Sequence, residues 1–320
     1  MNLQTQGMRF AVIDLGTNTF NLLIGEKLDA SHYQKLFNTK ISVKLGEGSI
    51  NDGFIAEIPF QRGINALKQY QQYLQEYEVA HENVYAFATS AIRSASNGID
   101  FITETKKLTG INITKINGEE EADLIYYGIK AAVNLTQNTA LIFDIGGGSN
   151  ELILANDTTI FWKQSFLLGA ARLLQKFNPS NPITASEIDN IYSYLKVEFA
   201  PLLNAIKQFP TTELIGSSGA FDSVIDMIAG KYGTIATNDE QTEYEIDLEK
   251  YQVIYDLIIA STTQQRQQIK GLIEMRIDMI VISCLLVNFI IKECGITVFK
   301  ASSYSLKEGV IFKKLSLTEA

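Results

Sequence analysis

The chain has 320 residues, of which 46% are hydrophobic and 20% charged, and carries a formal net charge of −9. That length buries a large core and favours two domains over one. The acidic balance excludes a general nucleic-acid or anionic-membrane binder, which needs a basic face, but leaves room for a local site that takes a phosphate-rich ligand.

In chain order, "FAVIDLG" and "NLLIGE" read as two short strands around a turn, followed by sheet and loop to about Gly53. Ile64, Leu67, Tyr70, Leu74 and Tyr77 recur at three and four residues, a helical period. "NVYAFATSAIR" reads as strand, turn and helix, and "INITKI" as a strand. "NGEEEADLIYYGIKAAV" is a helix with Asn117 as N-cap and acids in its first turn. After the strand pair in "LIFDIGGGSNELIL", "TIFWKQSF" is a further strand and "LGAARLLQKF" a helix. "PITASEIDNIYSYLKVEFAPLL" reads as one helix capped by Thr184 or Ser186. "TELIGSSGAFDSVIDMIAG" reads strand, glycine turn, helix, and "GITVFKASSYSLKEGVIFKKL" strand, turn, helix. Met279–Ile291, the most apolar run, is too short to span a bilayer and is expected to be a buried core helix. The "MNLQTQGMRF" start has no apolar signal core, and Cys284 and Cys294 lack metal spacing, so a reducing, cytoplasmic compartment is expected. Alternating strands and helices give an α/β class.

One internal repeat stands out. "AVIDLGTNTFNLLIG" aligns with "LIFDIGGGSNELILA": Asp14 falls on Asp144, Gly16 on Gly146, Thr19 on Ser149 and Asn21 on Glu151. The copies lie about 130 residues apart, too far for a solenoid, so two related domains each open on the same hairpin. A phosphate is held by successive backbone N–H groups in a tight turn, where glycine gives positive φ and close approach. Gly146, Gly147, Gly148 and Ser149 form one such turn, and Thr17, Asn18 and Thr19 a second. A carboxylate beside a phosphate is repulsive unless a cation bridges them, so Asp144 and Glu151 suggest Mg²⁺. The competing reading, an ordinary hairpin capped by Asp144, is weakened by the repeat.

Two matching Asp-x-Gly hairpins are specific to the actin, hexokinase and heat-shock ATPase superfamily. With "KLGEG", "FATSAIRSASNG", "INGEEEADLIYYGI", "LGAARL", "GLIEMRID" and "SSYSLKEGVI", the chain resembles the exopolyphosphatase and guanosine-pentaphosphate phosphohydrolase (Ppx/GppA phosphatase) family over nearly its whole length. The resemblance implies two actin-like (ribonuclease H-like) α/β domains with a cleft between them. Domain I is expected at 1–120, with a helix at 304–320 returning to it, and domain II at 121–303.

The implied activity is Mg²⁺-dependent hydrolysis of the terminal phosphoanhydride of inorganic polyphosphate or of guanosine pentaphosphate (pppGpp). Neither nucleic acid nor membrane is an expected partner, and a homodimer is allowed. The family's catalytic glutamate carries to Glu121, which helical geometry supports, because Glu121 shares a face with Leu124, Ile125, Gly128 and Ala132. Glu119 and Glu120 then serve the helix dipole. Arg93 matches the family arginine and would neutralise phosphate charge, with Thr89, Ser90 and Asn97 nearby. Glu151 is a second catalytic candidate, Ser217 of "GSSG" reads either as a phosphate contact or as part of a packing turn, and Asp14 joins Asp144 and Glu151 as a metal candidate.

His32 and His81 read as surface residues, and Lys163, Arg172, Arg276 and Lys300 as charges that line a polyanion path or serve structure. Lys307 stands where the family usually has arginine, and the extra C-terminal helical domain of long relatives is not expected here. A kinase or ATPase of the same fold, and a non-catalytic polyphosphate or alarmone sensor, are the other function classes.

Overall fold

The computed structural model describes residues 7–29, 32–238 and 240–314. The chain divides into two compact units, Met1–Ala131 with Leu306–Ala320, and Ala132–Ser305.

The first unit is built on β1 (Met8–Leu15), β2 (Thr19–Lys27), β3 (Tyr33–Ser42), β4 (Val84–Ala88) and β5 (Ile113–Lys115), in the order β3-β2-β1-β4-β5. The first three strands form an antiparallel meander, and β4 and β5 add in parallel. Phe10–Ile13 of β1 are fully buried, as a central strand covered on both faces requires. Helix α1 (Glu57–Glu76) buries Ile64, Leu67, Tyr70 and Leu74 at the spacing read from sequence. Two helices follow β4: α2 (Ser90–Ser94) and α3 (Gly98–Thr109), the latter unexpected from sequence and ended by left-handed Gly110. Helix α4 (Gly118–Ala132) starts at Asn117, whose Oδ1 accepts from the amides of Glu119 at 3.0 Å and Glu120 at 2.9 Å. Glu120 reaches back to the Asn117 amide at 2.9 Å and completes a reciprocal cap. The helix of Glu121 therefore belongs to the first unit, whereas the sequence reading opened the second domain at 121.

The second unit holds β6 (Ala140–Ile145), β7 (Asn150–Ala155), β8 (Ile160–Phe166), β9 (Glu213–Ser217), β10 (Glu243–Glu245) and β11 (Val298–Ser302), in the order β10-β11-β9-β6-β7-β8. From the β8 edge the order is third, second, first and fourth strand, as in the first unit, and then the sixth, β11, in the place that β5 holds there, with the same antiparallel and parallel senses. The three-residue strand β10, not anticipated from sequence, extends the far edge antiparallel to β11. Both units thus share the actin-like (ribonuclease H-like) topology.

Helices α5 (Ala170–Phe177), α6 (Ala185–Glu198), α7 (Ala200–Gln208), α8 (Gly219–Tyr232), α9 (Leu248–Ala260), α10 (Thr263–Arg266) and α11 (Ile280–Cys294) complete the second unit. The single helix expected over 182–203 is two, broken at Phe199, because Pro201 has no N–H to continue the ladder. Thr184 is the N-cap of the first. Helix α11 is buried along nearly its whole length, as its composition predicts. Among the described residues no helix is long and apolar enough to cross a membrane. The last helix, α12 (Leu306–Lys314), packs in the first unit, where a side chain at Gly309 would collide with the Leu124 carbonyl. Residues 315–320 of the expected terminal helix lie outside the described residues.

Candidate active site

The β1–β2 hairpin places Asp14 opposite Asn21, and Asn21 Nδ2 donates to Asp14 Oδ2 at 3.0 Å. In its turn the Thr17 carbonyl accepts from the Leu45 amide at 2.6 Å, and the Asn18 carbonyl from Val43 and Lys44 at 2.8 and 2.9 Å. C=O and N–H point opposite ways across a planar trans peptide. The Asn18 and Thr19 amides therefore face away from the 43–45 segment. Thr17 is buried, and its Oγ1 has no hydrogen-bond partner among the described residues. The 43–47 segment is itself held by Arg62, which donates to the Val43 carbonyl, to the Lys44 carbonyl at 3.0 Å and to Glu47 at 2.7 Å. Lys44 adopts left-handed backbone, φ 41°, at the bend.

At the end of β4 the chain turns into α2, which carries Arg93. Arg93 Nη1 donates to the Ile116 carbonyl at 3.3 Å and to Glu121 Oε2 at 2.5 Å. Glu121 is 7% exposed, while Glu119 and Glu120 face solvent, as the helical period predicts. Of the polar neighbours proposed for Arg93, Thr89 donates to the Leu15 carbonyl at 3.2 Å. Asn97 makes two 2.8 Å bonds to the Ile55 backbone, so these two serve structure. Ser90 is buried, and its Oγ has no partner among the described residues.

The second unit repeats the first hairpin. Asp144 stands opposite Glu151 on one face of the sheet, as Asp14 does with Asn21. Both acids are buried, at 7% and 1% exposure. Asp144 Oδ2 accepts from the hydroxyls of Ser217 and, at 2.7 Å, Ser305. Glu151 Oε1 accepts from Ser165 Oγ at 2.6 Å. Ser217 thus supports an acid here, and Ser305 and Ser165 are partners the sequence reading missed. They come from other strands and loops, and no local spacing marks them.

In the turn between these strands the Gly146 carbonyl accepts from Ala170, and the Gly147 carbonyl from Ala171, each at 2.9 Å, with Arg172 N a second donor to Gly147 at 3.2 Å. The Gly148 carbonyl accepts from Arg172 Nε at 3.1 Å. Every carbonyl of the glycine run is thus taken by the start of α5, so the amides of Gly147, Gly148 and Ser149 point the other way, a concave set of donors suited to an anion. Left-handed backbone is not what demands glycine here, contrary to the sequence reading. Among the described residues the left-handed glycines are Gly48, Gly53, Gly110, Gly233, Gly271 and Gly295. Space demands it instead: a Cβ at Gly146 would come within 2.6 Å of the Ser149 carbonyl, and one at Gly169 would run into the Gly147–Gly148 peptide.

A turn with outward-facing amides beside two opposed carboxylates is suited to a phosphoanhydride, and the known families decide the reading. Residues 24–318 match the Ppx/GppA phosphatase family. The chain belongs to that family. A crystal structure of an exopolyphosphatase from Cytophaga hutchinsonii superposes with a TM-score of 0.93 at 37% identity, covering 96% of this chain and 98% of that one. Exopolyphosphatase 1 of Mycobacterium tuberculosis is 25% identical over 96% of this chain and 88% of its own length. The guanosine-5'-triphosphate,3'-diphosphate pyrophosphatase of Photobacterium profundum is 26% identical over 96% of this chain and 59% of its own. As a Ppx/GppA phosphatase the chain is a phosphoanhydride hydrolase.

The remaining charges divide. Lys300 bridges Glu213 at 3.1 Å and Glu243 at 2.9 Å, a structural role. Arg276 packs on Gly219 at the start of α8. Burial draws its pKa down, and the charges of Asp222 and Asp144 oppose that shift. Ser218, just before, holds left-handed backbone, φ 82°, and donates to the Ile145 carbonyl at 2.9 Å. Lys307 lies 3.4 Å from Glu308. Among the described residues no group of three or more His, Cys, Asp or Glu side chains is arranged to hold a metal ion. Two hard carboxylates on one face nevertheless fit Mg²⁺, which takes one or two such ligands and fills its remaining positions with water and phosphate oxygens.

Proposed function

We propose that this Ppx/GppA phosphatase removes the terminal phosphate of inorganic polyphosphate. The observation that carries the proposal is the second hairpin: amides of Gly147, Gly148 and Ser149 turned outward, on strands that set Asp144 opposite Glu151. The Cytophaga exopolyphosphatase, 37% identical over nearly the whole of both chains, supports the substrate class.

Asp144 and Glu151 would hold Mg²⁺, with Asp14 at the equivalent position of the first unit a further candidate ligand. Bound there, the ion supplies positive charge to the phosphate oxygens. In the reaction a water oxygen attacks the terminal phosphorus, the bridging P–O bond breaks, and Glu121 takes the water's proton. Products are orthophosphate and a chain one unit shorter. Arg93 neutralises charge on the phosphoryl oxygens with its fork. Thr17 Oγ1 and the Asn18, Thr19 and Gly147–Ser149 amides bind oxygens of the polyanion. The chain works in the cytoplasm, where Cys284 and Cys294, both free and buried, remain reduced.

The likeness to the Photobacterium pyrophosphatase favours a second reading, pppGpp as substrate. One experiment separates them: phosphate release, with Mg²⁺ and with EDTA, on long polyphosphate, tripolyphosphate, pppGpp and ATP. Mg²⁺-dependent release from polyphosphate, faster than from pppGpp, is expected. Faster release from pppGpp overturns the assignment in favour of the second reading, and equal release in EDTA removes the metal from it.

A further inference from the structure

We propose that Arg172 is a positioning residue that directs the Ser149 amide at substrate phosphate and strengthens it as a donor. The inference rests on the phosphate-binding role given to the Gly146–Ser149 turn. Its observations are separate: Arg172 Nε donates to the Gly148 carbonyl at 3.1 Å, and its own backbone amide donates to the Gly147 carbonyl at 3.2 Å. Arg172 thus grips two consecutive carbonyls of the glycine run from the α5 side.

The Gly148 carbonyl and the Ser149 N–H belong to one peptide group and point in opposite directions. Fixing the carbonyl therefore fixes the aim of the N–H. Glycines have no side chain to lock a turn, so a run of three needs an external clamp to present its amides in one arrangement. The clamp is also charged. A cation on the carbonyl oxygen draws electron density from the peptide group and makes its N–H a better donor. Burial pulls the Arg172 pKa down, but guanidinium starts so high that it stays charged throughout the working range. Arg172 then acts on the phosphate through a peptide bond, without touching it. Gly169 completes the contact, since its bare Cα lets α5 approach the Gly147–Gly148 peptide.

The test is calorimetric titration of the full-length protein, Arg172→Met and Arg172→Lys with tripolyphosphate, with steady-state kinetics on the same substrate and thermal unfolding of each protein. Removing a charge-assisted clamp is expected to weaken the Kd, and raise the KM, about tenfold in Arg172→Met, with a smaller change in kcat. Arg172→Lys, which restores charge without the fork, should fall between it and the parent. A merely structural arginine would lower the unfolding temperature and leave the Kd of the folded protein unchanged. A Kd within twofold of the parent in Arg172→Met overturns the proposal; if that variant does not fold, the same threshold applied to Arg172→Lys decides. Should the parent bind tripolyphosphate without hydrolysing it, the substrate reading fails and the Kd ratio still judges Arg172. A parent that does not bind tripolyphosphate overturns both.

Discussion

Glu121 and Arg93 meet at 2.5 Å with both side chains largely shielded from water, at 9% and 17% exposure. A buried pair is strongly destabilised by loss of one partner and far less by loss of both. Arg93→Met should therefore destabilise the protein by about 3 kcal/mol, and adding Glu121→Gln should restore much of that. Urea unfolding of the two single variants and the double variant measures the coupling. Activity should follow a different rule. Glu121→Gln should cut kcat by roughly a hundred to ten thousandfold, and the double variant should stay inactive although its stability returns. Glu120→Gln should retain activity and keep the cap, since a glutamine carbonyl still accepts from the Asn117 amide. If Glu120→Gln is the dead variant, the base has been misplaced by one residue. The burial of Glu121 was readable from the three-and-four spacing of Leu124, Ile125 and Gly128. Its contact with Arg93 was not, because it joins residues of two helices through tertiary packing that no local period encodes. The same holds for Ser217, read from its place in "GSSG" as a phosphate contact or part of a packing turn and found donating to Asp144.

At the level of elements, the two hairpins were legible because the repeat preserves register: Asp14 opposite Asn21, Asp144 opposite Glu151. What lies behind each turn was not legible. The 43–45 segment and the start of α5 occupy the carbonyls, and neither carries a sequence mark of that task. Gly169→Ala tests the point. A methyl group there meets the Gly147–Gly148 peptide, so the turn must shift, at a cost of roughly 1–3 kcal/mol. A folded Gly169→Ala protein with at least tenfold weaker kcat/KM is expected; normal kinetics would mean that the turn's position is unimportant. A second prediction concerns α6, whose N-cap Thr184 pairs with Glu187 in a reciprocal box. Hydrogen bonds from Ser180 and Thr184 lower the Glu187 pKa from 4.5 to about 2. A depressed carboxylate pKa gives stability that is complete above the unfolded value and lost as pH falls through the folded one. The contribution should thus fade between about pH 4.5 and about pH 2. Glu187→Gln should flatten that part of the stability-against-pH curve, as read by circular dichroism. An unchanged curve would show that the cap does not couple to protonation. The break between α6 and α7 was written in Pro201, yet the apolar spacing on either side disguised it as one helix.

Across the whole molecule, two sheets of one topology follow from one duplicated motif, and that duplication was the most informative signal in the sequence. The boundary was harder to read, since α4 runs without interruption through the position where the second domain was expected to begin. The second unit is one continuous stretch, Ala132–Ser305, and the first is completed by the segment from Leu306 onward. A chain ending at Ser305 should therefore lose stability in the first unit, where α12 packs against β1 and α4, and leave the second unit folded. Amide hydrogen exchange resolved by segment distinguishes this from uniform loosening, which would contradict the division.

Position in the chain is also a schedule. A ribosome finishes β1 to α4 first and delivers α12 only after all of Ala132–Ser305 has been made. At roughly 5–20 residues per second that interval is on the order of ten to thirty seconds. Throughout it, the α4 backbone at Leu124, against which Gly309 later packs, stands uncovered. The nascent chain therefore passes through a stage in which its first unit is structured but incomplete, and that is the stage at which a chaperone would find an apolar surface to hold.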